Sequence, residues 1–98
     1  MTSQHPPLRC CRAFVSGRVQ GVGFRMATRA EAQRLGVRGY ALNLPDGRVE
    51  VWICGEAEPV QRLLDWLERG PSAAQVSDVK YLDEDPAVEA VPSGFGIR

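Results

Sequence analysis

Three glycines fall within seven residues, at Gly17, Gly21 and Gly23, and they separate two stretches of different periodicity. Before them, Leu8 to Ser16 alternates, with Cys11, Ala13 and Val15 on one face and Cys10, Arg12 and Phe14 on the other, the period of a strand. After them, Phe24 to Leu35 carries alanines and long polar residues without proline and closes at Gly36, which suits a helix with a glycine stop. A strand that bends through a glycine loop straight into a helix confines the chain to folds in which sheet and helix pack as layers.

The rest of the chain extends that pattern. Val37 to Leu44 and Arg48 to Cys54 are strand-like runs joined by Pro45-Asp46-Gly47, where proline presets one turn dihedral and glycine takes the positive one, so they predict a hairpin. Val60, Leu63, Leu64 and Leu67 recur at helical spacing, which predicts an amphipathic helix over Glu58 to Arg69, stopped by Gly70-Pro71. Gln75 to Leu82 is strand-like through Val76, Val79 and Tyr81, Asp83 to Ser93 reads as an acidic linker, and Gly94 to Arg98 reads as a short final strand. Strand, helix, strand, strand, helix, strand is the split βαβ order of an α+β fold: one antiparallel sheet with both helices on one face. Residues 1 to 7 are polar and proline-bearing and read as a loose tail, leaving 8 to 98 as a single domain.

A chain of 98 residues can build one two-layer core and not two. The longest apolar run is far short of the roughly 20 residues a membrane span needs, and the N-terminus lacks the apolar stretch of a signal peptide, so the expectation is a soluble cytoplasmic protein, and the size suits a monomer. The cysteines, Cys10, Cys11 and Cys54, are odd in number and lack CxxC spacing, which predicts buried thiols without a disulfide or zinc site. His5, the only histidine, lies in the tail, where nothing rigid would orient it for catalysis. The net charge of zero conceals an asymmetry: Arg9 to Arg38 holds seven arginines against Glu31 alone, whereas Asp46 to Arg98 holds eleven acids against five bases. A locally basic third on a neutral chain fits capture of a small anion better than wrapping a long polyanion. Trp52 and Trp66 read as packing residues.

The glycine segment is the feature with chemistry in it. Its spacing is GxxxGxG, which matches neither the dinucleotide GxGxxG nor the GK[ST] phosphate loop. The physics is shared: glycines let successive backbone N–H groups converge on an anion, and the helix that follows adds unsatisfied N–H groups and its positive dipole end. Arg25 stands in the first turn of that helix, where a cation is disfavoured by about 0.3–1 kcal/mol. A bound anion would compensate it, and a guanidinium holds two phosphate oxygens at once.

Gly17-Arg18-Val19-Gln20-Gly21-Val22-Gly23-Phe24-Arg25, followed by Gly39-Tyr40-Ala41-Leu42-Asn43-Leu44-Pro45-Asp46-Gly47-Arg48-Val49-Glu50, resembles the two signature segments of the acylphosphatase family. The similarity covers most of the chain, with Phe95 and Ile97 matching a Phe-x-Ile ending. The resemblance implies a ferredoxin-like α/β sandwich, and hydrolysis of the carboxyl-phosphate bond of small acyl phosphates to carboxylate and orthophosphate with no metal or other cofactor. By position it implies a phosphate loop of Arg18, Val19, Gln20, Gly21, Val22, Gly23 and Phe24, a phosphate-binding catalytic Arg25, and Asn43 as the residue that orients water. Tyr40 stands where many members have tryptophan and Leu42 where arginine is frequent, and the second departure bears on substrate preference. Arg18 and Gln20 are expected to serve only through their backbone, with free side chains.

Two readings compete with this one. Arg38-Gly39-Tyr40-Ala41 matches the opening of an RNA-binding signature in a module of the same element order, but it lies on the second strand instead of the third, and Leu42 replaces the next stacking aromatic. A domain that senses anions without turnover is the other. The acylphosphatase expectation excludes nucleic acid and membrane partners and leaves small-molecule acyl phosphate and orthophosphate as the ligands.

Overall fold

A computed structural model describes residues 8–85 and 91–98, so the tail expected at residues 1–7 lies outside the described residues. The chain forms β1 (Leu8–Arg18), α1 (Phe24–Leu35), β2 (Arg38–Asn43), β3 (Val49–Glu56), α2 (Ala57–Leu67), β4 (Gln75–Glu84) and β5 (Phe95–Ile97). The sheet order is β4-β1-β3-β2-β5. Strands β1 to β4 pair antiparallel, while β5 runs parallel to β2. The expected α+β arrangement is present, with one difference: the short last strand makes the sheet mixed.

The two faces of the sheet divide the residues as the alternation predicts. Cys11, Ala13 and Val15 of β1 and Val49, Val51 and Ile53 of β3 are buried with Phe24, Thr28 and Ala32 of α1 and Val60, Leu63, Leu64 and Leu67 of α2. Both helices therefore cover one face. Each fully buried aliphatic side chain on α2 contributes about 1.5–3 kcal/mol of hydrophobic stabilisation, which fixes the helix against the strands that carry the loop.

Glycine is required at two crossing points. Gly39 has φ +142°, and a Cβ there would lie 1.7 Å from the carbonyl oxygen of Trp52. Gly17 has φ +124° beside a register shift at which Ser16 faces Asp78 and Gly17 faces Val76, and its Cβ would lie 2.1 Å from the Gln75 carbonyl oxygen. That bulge re-aims the end of β1 into the glycine loop.

The opposite face departs from expectation in two ways. Cys10 and Cys54 are not thiols. They face each other across β1 and β3 with Cα atoms 4.2 Å apart and form a disulfide, leaving Cys11 as the buried free thiol. Directly opposed antiparallel residues come within bridging distance, and this pairing depends on register between distant strands, which cysteine spacing does not reveal. The acidic linker also begins later than expected. Asp83 and Glu84 belong to β4, where Arg9 Nε donates to Asp83 at 3.0 Å and Arg12 Nε donates to Glu84 at 2.7 Å. Arg12 donates as well to Glu50 at 2.7 Å and to the Tyr40 hydroxyl at 2.9 Å, so it is the hub of a half-buried network and not a solvated surface charge. These donors hold the Asp83 and Glu84 carboxyls below their ordinary range, chiefly through the Cys11 thiol and Arg9 at Asp83 and through Arg12 at Glu84.

Candidate active site

The loop between β1 and α1 is shaped by Gly21 at φ +75° and Gly23 at φ +76°. A Cβ at either would meet nothing within 4 Å, so glycine serves there for its left-handed dihedral and not for space. Gly23 caps α1 with no side-chain hydrogen bond, and the helix's first turn contains no acid. The first intrahelical bond runs from Ala27 N–H to Gly23 C=O at 3.0 Å, so the amides of Phe24, Arg25 and Met26 have no helical acceptor. Together with the dipole, they make this end of α1 electropositive.

Side chains anchor the loop on both sides. Val19 and Phe24 are buried, and Phe24 packs against Trp66 with ring centroids 6.1 Å apart. Gln20, expected to have a free side chain, is instead tied down: Nε2 donates to the carbonyl oxygens of Leu44 at 2.8 Å and Arg48 at 2.9 Å. It thereby fastens the loop to the β2–β3 hairpin. The hairpin turn is closed by Leu44 N–H to Arg48 C=O at 2.8 Å and Gly47 N–H to Leu44 C=O at 3.1 Å, with Gly47 at φ +96° as the turn chemistry requires. Asn43, the last residue of β2, is held beside the loop as a consequence.

Loop, helix start and hairpin enclose a cavity of about 150 Å³ lined by Val19, Gly21, Gly23, Phe24, Arg25, Met26, Asn43 and Ile97. This is smaller than the 300–1,000 Å³ of sites for drug-sized ligands. Six of the residues expected from sequence thus meet in one place. Arg18, Gln20 and Val22 do not line it: Arg18 is exposed at the end of β1, paired with Gln75, Val22 packs against the core, and Gln20 acts on the hairpin. Two lining residues were not expected. Met26 is signalled by sequence, as a large apolar residue off the face that α1 buries; Ile97 is not, because it reaches the site only through the parallel pairing of β5 with β2.

Arg25 Nη1 donates to the main-chain oxygen of Arg98 at 2.6 Å, which holds the guanidinium at the cavity. The Oδ1 of Asn43 is buried and has no hydrogen-bond partner among the described residues. A buried acceptor left this way costs about 1–3 kcal/mol, and a donor entering the cavity would relieve it. Among the described residues, no carboxylate, histidine or cysteine side chain lines the cavity. Cys11 lies in the core, and burial together with the Asp83 contact pushes its thiol up to about 12, so it is no nucleophile at neutral pH. Among the described residues, no three histidine, cysteine, aspartate or glutamate side chains come together as a metal site.

Several known proteins are similar to this chain in sequence and fold. The acylphosphatase family model matches residues 11–97. An acylphosphatase of Chromohalobacter salexigens is 58% identical over 80% of this chain and 88% of its own. One of Halorhodospira halophila is 50% identical over 99% of both. The crystal structure of an acylphosphatase from Bacillus subtilis superposes with a TM-score of 0.85 at 32% identity, covering 94% of this chain and 99% of that one. With a family match over nearly the whole described chain, the chain belongs to the acylphosphatase family and is a hydrolase acting on acyl phosphates.

Proposed function

We propose that the amides of the glycine loop and of the first turn of α1, with the Arg25 guanidinium, hold the phosphoryl group, while Asn43 orients the water that attacks it. The observation that carries this assignment is the unpartnered, buried Oδ1 of Asn43 in the same cavity as Gly21, Gly23 and Arg25. A carboxamide that lines one cavity with a cation and free amides supplies an acceptor for one hydrogen of water where the other groups attract an anion.

The reaction asks for little else. The water oxygen attacks phosphorus, the bond from phosphorus to the acyl oxygen breaks, and its electron pair leaves on the carboxylate. The conjugate acid of that leaving group has a pKa of roughly 4, so it departs without a proton. Positioning and stabilisation of charge on the equatorial oxygens are the protein's main tasks in phosphoryl transfer. Asparagine is no base at neutral pH, so the proton of the attacking water passes to a phosphoryl oxygen, giving carboxylate and orthophosphate. Chemistry balanced in this way calls for neither a metal nor a protein acid.

No described helix is long and apolar enough to cross a membrane, and the proposal is a cytoplasmic monomer acting on small molecules. The Tyr40 ring that an RNA-binding module would offer to a base carries Arg98 above it at 4.2 Å, and its hydroxyl donates to Glu50 at 2.6 Å. It is occupied, which argues against nucleic acid.

Hydrolysis of benzoyl phosphate in ¹⁸O-labelled water with excess chelator tests the mechanism. The label is expected in orthophosphate, at an undiminished rate. Label in benzoate would mean attack at the acyl carbon, and loss of activity that magnesium restores would contradict a metal-free site.

A further inference from the structure

Met26 is 57% exposed, and among the described residues it is the one large, strongly exposed apolar side chain that lines the cavity; the others, Leu8, Tyr81 and Leu82, lie on β1 and β4. Helix α1 buries Phe24, Thr28 and Ala32, and Met26 falls off that face, so packing of the fold does not account for an apolar residue at this position. The Arg29 Nη2 lies 3.7 Å from its Sδ.

The layers of the fold say which part of a substrate would meet it. Asn43 and Ile97 enter the cavity from β2 and β5 of the sheet, whereas Met26 enters from the helix layer. Phosphoryl transfer places the attacking and leaving oxygens roughly in line. With water on the side of Asn43 and the phosphoryl group on the loop amides, the acyl group departs toward the solvent-facing mouth of the cavity, where the exposed Met26 side chain stands.

We propose that Met26 is a specificity-determining residue whose side chain contacts the acyl group, selecting acyl phosphates with an apolar, and especially an aromatic, acyl part. The inference rests on the proposed roles of the loop and Asn43. An unbranched thioether adapts to groups of different shape and makes favourable contacts with ring edges, so Met26 confers a graded preference and not an absolute one. An exposed side chain at the cavity rim changes affinity for what hangs from the phosphoryl group and not for the phosphoryl group itself.

The test compares kcat/KM for benzoyl phosphate and acetyl phosphate in the full chain and in Met26→Ala, Met26→Gln and Met26→Leu. Because Met26 is exposed, these variants fold. In Met26→Ala and Met26→Gln the benzoyl-to-acetyl ratio is expected to fall about 3- to 10-fold, the consequence of removing one apolar contact, while Met26→Leu stays within about twofold of wild type. An unchanged ratio in Met26→Ala, an equal loss for both substrates, or a glutamine variant that behaves like leucine would overturn the assignment. Wild-type protein that turned over neither substrate would contradict the hydrolase activity itself, a result distinct from an unaltered ratio.

Discussion

Gln20 illustrates what a single side chain adds that a motif alone conceals. A phosphate loop that binds through its backbone gives its side chains no evident task, yet this one spans from the loop to the carbonyls on both sides of the hairpin turn. Each such bond has a net worth of about 0.5–1.5 kcal/mol, and losing both frees the loop from the strand that carries Asn43. Gln20→Ala is expected to raise KM for benzoyl phosphate and the inhibition constant of orthophosphate about tenfold, as steady-state kinetics would measure; unchanged constants would mean that the loop holds its shape alone. Arg25 was legible in the sequence because a cation in the first turn of a helix invites an anion. Asn43 by its own chemistry reads as a turn residue, and only the flanking motif singled it out. Nothing local could show that its oxygen is buried without a partner, since that depends on β2, the loop and α1 converging.

At the level of elements, periodicity locates α2 and most strands, and composition with the Gly36 stop locates α1, to within about two residues. The apolar stripe Val60, Leu63, Leu64 and Leu67 is the buried face of α2, and Gly36 ends α1 with its amide bonded back to Gln33 at 3.2 Å. Strand ends were less legible where charges decide them. Asp83 and Glu84 look like linker by composition, and they stay in β4 because Arg9 and Arg12 on the neighbouring strand donate to their carboxylates. The short β5 was expected as a strand, but its direction was not: a three-residue segment pairs parallel with β2 because Gly39 N–H bonds Gly94 C=O and Arg98 N–H bonds Ala41 C=O, at 3.0 and 2.9 Å. That connection brings Ile97 and the main chain of Arg98 to the site.

For the whole molecule, the register of the two central strands has the largest consequence. It places Cys10 opposite Cys54, closing a loop across a sequence separation of 44. By the chain-entropy account, a cross-link of that span stabilises a fold by about 3–4 kcal/mol. Reduction, or replacement of both cysteines by alanine, is therefore expected to lower Tm by at least about 10 °C, as thermal unfolding followed by circular dichroism would show. Activity at 25 °C should remain, because the bridge lies at the opposite end of β1 from the glycine loop; an unaltered Tm would mean that the bridge is absent in solution. The layered architecture also explains why the site is so small: sheet edge, loop and helix start meet at one corner, each contributing one kind of group. The decisive measurement is of orthophosphate affinity by titration calorimetry alongside kcat for benzoyl phosphate, in wild type, Arg25→Ala and Asn43→Ala. The division of labour predicts that Arg25→Ala loses phosphate binding, while Asn43→Ala binds phosphate within about twofold of wild type and loses roughly a hundredfold in kcat. An asparagine variant that kept its turnover, or that lost phosphate binding in step with it, would contradict the claim that Asn43 serves the water and not the phosphate.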